Sequence, residues 1–154
     1  MLIFKALHIL SMFAMVTIEI GAEFLYAFAI SRRDVRALAT IHHILEQSRA
    51  GIASVVALVS GVVFGLLAAA TGGLDFFDGW LIAAYVLIGV FAVTTTRALK
   101  TFLPLGAKAV EAEAGQRPAE EVVRDMAASR ALVWFALDAV VVVAIIADMV
   151  LKPF

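Results

Sequence analysis

Residues 1–30 form an apolar stretch long enough to cross a bilayer, yet they carry His8, Glu19 and Glu23. On a helix that turns about 100° per residue, His8 and Glu19 lie within about 20° of each other, and Glu23 about 40° further round. Met12, Met15 and Tyr26 share that side. Lipid does not tolerate two carboxylates, so the stripe must face protein. One helix cannot cover itself, and the rest of the chain has to supply the cover.

Three further stretches have the length and apolarity to do so. The four spans run over about 2–30, 51–71, 79–96 and 131–151, each near the ~20 apolar residues that a crossing needs. The whole chain is 64% apolar and 16% charged, with a mean hydropathy of +1.03. Soluble domains are far less apolar than this. The reading is one integral-membrane domain of 154 residues. The first span is too long for a cleaved signal peptide and ends in Ser31-Arg32-Arg33-Asp34, so it is read as retained. A net charge of −1 offers nothing to nucleic acid, and the absence of cysteine excludes disulfides and thiolate metal sites.

The loops set an expected orientation. All but Lys5 and Lys152 of the twelve basic residues lie in the first and third loops, while the second has only Asp75 and Asp78. The positive-inside rule then places the first and third loops in the cytoplasm and both termini outside, in a bacterial inner membrane. Asp34 is a candidate N-cap for a helix bearing Val35, Leu38, Ile41 and Leu45 at helical spacing. Pro118, followed by Glu120 and Glu121, opens another that is expected to run on into the fourth span. The expected fold is all-α: a four-transmembrane-helix up-down bundle, with the second and fourth helices extended on the cytoplasmic side.

In such a bundle the first and fourth spans run antiparallel. Asp138 then falls near the level of Glu19 and Glu23, and Asp148 and Met149 near that of His8 and Met12. Three acids in one low-dielectric interior cannot all be ionised, which makes Glu19, Glu23 and Asp138 candidates for a proton or cation relay. The structural alternative is that Glu23 braces Arg97 or Arg130 and Glu19 stays protonated in a hydrogen bond. His8 could ligate haem or a metal through a neutral ring nitrogen, with Met12 and Met149 as soft ligands; it could equally be an interfacial residue, and the methionines plain packing. His42 and His43 are too far from His8 to complete a haem site and are expected on a solvated helix surface. Ser54, Gly61 and Gly65 allow close helix approach, and Gly61 and Gly65 also suggest a surface for self-association. No phosphate loop, nucleophile elbow or zinc helix is present in the sequence.

The opening Lys5-Ala6-Leu7-His8-Ile9, the start of the third span at Trp80-Leu81-Ile82-Ala83-Ala84-Tyr85, and the closing Met149-Val150-Leu151-Lys152-Pro153 carry a resemblance. They resemble a family of small integral-membrane proteins near the HemJ-type protoporphyrinogen oxidases and the copper-resistance D proteins. The resemblance implies four spans and a haem b ligated by His8. The segment from Ile9 to Val16 lacks the basic residue that the HemJ type has there, so oxidase activity is not implied. Three functions stay open: a haem b-binding electron-transfer or redox-sensing protein, a proton or cation carrier or channel component, and an accessory subunit of a larger membrane complex. The partners expected are the bilayer and either further copies or a membrane complex.

Overall fold

The computed structural model describes residues 2–151, and the chain end at Lys152-Pro153-Phe154 lies outside them. The described residues form six helices and no strand: α1 Leu2–Arg32, α2 Val35–Gln47, α3 Ala50–Gly72, α4 Gly79–Glu113, α5 Ala119–Ala128 and α6 Ala131–Leu151. Four of them, α1, α3, α4 and α6, are long and apolar enough to cross a membrane.

The four spans do not close into a ring in chain order. α1 packs on α3 and on α6, and α6 packs on α4, while α3 and α4, joined by a short loop, barely touch. α1 and α6 are therefore the two inner spans of the row, and α1 has covering partners on two sides, as its polar stripe requires. Gly61 and Gly65 serve this packing rather than an intermolecular surface. A Cβ on Gly61 would lie 2.5 Å from Met12 Sδ, and one on Gly65 would lie 2.9 Å from His8 Nδ1. The expected self-association through this pair is thus replaced by an intramolecular seam.

At the arginine-rich end the extensions of the second and fourth spans are present as separate helices. α1 stops where Arg33 turns left-handed (φ 55°), with Arg33 N–H bonded to Ile30 O and Asp34 N–H to Ala29 O. This is a Schellman closure made without glycine. Asp34 then caps α2, its Oδ1 accepting from Ala37 N–H at 2.9 Å. Arg49, also left-handed (φ 54°), divides α2 from α3. The fourth extension does not run unbroken into its span. Ser129 is extended (ψ 155°), and its hydroxyl donates to Met126 O, ending α5 before α6 begins. The third span contributes an extension that the sequence reading omitted. α4 has 35 residues, about 52 Å at 1.5 Å each, well beyond the ~30 Å hydrocarbon, and it continues through Pro104.

α2, α5 and the far half of α4 close over the ends of α1 and α6. Their core holds Tyr26, Ile30, Leu38, Phe102, Val122 and Met126, all buried. On the outside of this cap Lys108 Nζ meets Asp125 Oδ2 at 2.5 Å, and Arg117 bridges Glu111 and Glu121. The Lys108 ammonium holds the Asp125 carboxyl below the usual carboxylate range.

Candidate functional site

The polar side chains on the α1 stripe face different helices, and the helix faced decides whether a partner is met. Toward α3, His8 Nδ1 lies 2.7 Å from Gly61 O. A carbonyl only accepts, so the proton is on Nδ1, and in the neutral ring Nε2 is left with the lone pair. Met12 sits one turn further on, against Gly61. His8 and Met12 therefore line the same wall side by side, rather than facing each other across a gap. Met149 is half-buried on α6. Two turns beyond Met12, Ser54 Oγ donates to Glu19 Oε1 at 2.5 Å.

Toward α6 and α4 the arrangement changes. Glu23 is 2% exposed and Asp138 0%. Asp138 Oδ1 accepts from Thr94 Oγ1, whose hydroxyl also stands 3.1 Å from Phe91 O. Both oxygens of Glu23, and Oδ2 of Asp138, are buried without a hydrogen-bond partner. The acidic neighbours of Glu23 are Asp138 and Glu19. No brace from Glu23 to Arg97 or Arg130 forms, since neither carboxyl oxygen of Glu23 has a partner. Glu23 thus lies between Glu19, which takes a hydroxyl from Ser54, and Asp138, which takes one from Thr94. Asp148 is also buried on α6, with Oδ2 unpartnered, about 15 Å of helix rise from Asp138.

One residue stands against its expectation. His43 does lie on the surface, bonded to Gln47 at 2.9 Å. His42 does not: it is 5% exposed and packed into the cap. Its Nδ1 lies 2.6 Å from the Tyr26 hydroxyl, and its Nε2 3.6 Å from Glu46 Oε1. Tyr26 in turn stacks on Phe102, with ring centroids 5.3 Å apart. The ring fits because residue 106 is glycine; a Cβ there would overlap it. The signal was available on α2, where Leu38, His42 and Leu45 fall at i, i+4 and i+7 on the buried face. What no periodicity could show was Gly106, which makes room for an imidazole there.

Among the described residues no three or more histidine, aspartate or glutamate side chains converge to hold a metal ion. No curated protein and no solved structure matches the chain. Residues 2–153 match a family described as predicted integral membrane protein (DUF2269), and four apolar helices around buried acids accord with that description: the chain is a multi-pass integral membrane protein of this family.

Proposed function

We propose that the protein carries protons through the carboxyl cluster of Glu19, Glu23 and Asp138, in the inner membrane of a bacterium with its arginine-rich end in the cytoplasm. The observation that carries this reading is the pair Glu23 and Asp138, both buried, with three oxygens lacking any partner. An unpaired carboxylate in an apolar interior costs several kcal/mol, and apolar residues of like volume would stabilise the bundle more. A shared proton relieves that cost by letting one carboxyl donate to the other, and a proton held so is one that can be exchanged. Ser54 and Thr94 each donate a hydroxyl to one acid beside Glu23, Ser54 to Glu19 and Thr94 to Asp138. Four helices of this size enclose no wide pore, so a larger conduit would need several copies or a place in a larger membrane complex.

The test is proton flux into vesicles that contain the purified protein, driven by a potassium diffusion potential and read with an entrapped pH dye. Glu23→Gln and Asp138→Asn should each abolish most of the flux, and Glu19→Gln should reduce it. Wild-type protein that leaks no faster than empty vesicles would sink the reading.

A second reading rests on His8. Its Nδ1–H to carbonyl bond is the arrangement that orients an imidazole for ligation through Nε2. If it holds haem b, the purified protein will show a Soret band that His8→Ala removes.

A further inference from the structure

The buried cluster needs a route to water, and the cap holds one that the cluster itself does not explain. Resting on the proton reading above, we infer that Glu46, His42 and Tyr26 form the mouth through which the buried carboxyls exchange protons with the arginine-rich side.

The placement carries it. Glu46 is 67% exposed at its side chain and stands 3.6 Å from His42 Nε2. His42 spans from that surface to the interior, where its Nδ1 meets the Tyr26 hydroxyl at 2.6 Å. Tyr26 follows Glu23 by three residues on α1, so their side chains share one face about one turn apart. Surface, imidazole, phenol and buried acid thus come in spatial order. α4 presents Gly106 to the ring, α3 carries no titratable residue, and α5 turns Val122 and Met126 into the cap core, with its Glu121 and Asp125 held by Arg117 and Lys108. The titratable groups facing His42 are therefore Tyr26 from α1 and Glu46 from its own helix. A histidine needed only for packing would not call for a glycine opposite it, a phenol on one nitrogen and a carboxylate beside the other.

The proton balance is closed. Glu46 takes a proton from bulk water. With His42 in the tautomer that carries its proton on Nδ1, protonated Glu46 passes that proton to Nε2 while Nδ1–H passes its own to the Tyr26 oxygen. The phenolic proton moves on toward the Glu23 carboxylate, one turn back on the same face of α1. Glu46 ends ionised, His42 neutral with its proton on Nε2, Tyr26 neutral, and Glu23 protonated. Discharge through the same mouth is the reverse and restores the tautomer, whereas a net passage that ends on the far side requires the His42 ring to flip before it takes the next proton.

The experiment is a pH jump on the full chain in lipid nanodiscs, followed by time-resolved infrared absorption of the protonated carboxyl band. Glu23→Gln comes first: loss of the responding band shows that the buried cluster is what titrates, and its retention would defeat the proton reading itself. With the cluster so identified, His42→Ala should slow the band's response roughly a hundredfold, in the range of a lost proton-transfer group, and added imidazole should restore it. Tyr26→Phe keeps the packing and removes only the hydroxyl, so it should slow the response even if His42→Ala fails to fold. Glu46→Gln should slow it less, because water reaches Nε2 from the surface. An unchanged rate in Tyr26→Phe, or in a folded His42→Ala, would overturn the inference and put loading at the Asp148 end.

Discussion

The two ends of this molecule are built on opposite rules. In the cap the buried residues are mostly apolar, including Leu38, Phe102 and Val122, and the charges lie outside in pairs such as Lys108 with Asp125. In the spans the exposed residues are apolar, with Phe13 at 70% and Val140 at 65%, and the buried ones include Glu23, Ser54, Thr94, Asp138 and Asp148. Each is the low-energy solution for its surroundings. Water rewards burying apolar area and exposing charge, whereas lipid is indifferent to an exposed leucine and penalises an exposed carboxylate. Tyr26 sits where the rules change over, its ring in the cap core and its helix in the span. His42 is the exception in the cap: a polar side chain in the apolar core, continuing the line of the span's polar groups.

The comparison breaks most readily at phenylalanine. Phe102→Ala removes a ring that is 1% exposed in the cap, and should lower unfolding stability in detergent by about 3–5 kcal/mol. Phe13→Ala faces lipid and should change it by less than about 0.5 kcal/mol. Denaturant unfolding of both variants checks the pair, and equal losses would mean that the cap is no true core. Glycine sharpens the picture inside the membrane. Gly65→Ala drives a methyl toward His8 and strains the bond to Gly61, which should cost about 1–3 kcal/mol. Gly89→Ala, with nothing within 4 Å, should be neutral or slightly stabilising. Thermal melts of the two alanine variants decide this.

At the hinge between the regions, Arg33→Gly relieves a left-handed arginine and should stabilise the fold by roughly 1 kcal/mol, read as a raised Tm. The smallest effect belongs to the Lys108–Asp125 pair. Asp125 titrates lower when folded than when unfolded, so its contribution is present above the unfolded carboxylate range and is lost as pH falls through the folded value. In Asp125→Asn the acid side of the stability profile should lose that component while the neutral-to-alkaline slope stays as it was.

Much of the candidate site was legible in the residues. The shared face of Glu19 and Glu23, and the antiparallel level of Asp138, follow from helical geometry and span length alone. Their hydroxyl partners were less so: Ser54 was read as a small residue for close approach, and Thr94, inside the third span at 79–96, was not singled out. A hydroxyl gains its meaning from the carboxylate across from it, and only packing supplies that neighbour. The breaks at Arg33 and Arg49 were hidden for a different reason, since glycine is the usual local sign of a left-handed helix end and neither position has it.

By itself, then, the sequence determined that this chain crosses a bilayer four times as helices and that its acids face inward. Length, apolarity and the cost of charge in lipid are properties each segment carries alone. Tertiary structure decided that α1 lies between α3 and α6, that Gly61 and Gly65 seat Met12 and His8, and that His42 turns inward against Gly106 to meet Tyr26. Those are contacts between residues far apart in the chain. Each depends on the shape of a partner helix, which no single segment encodes.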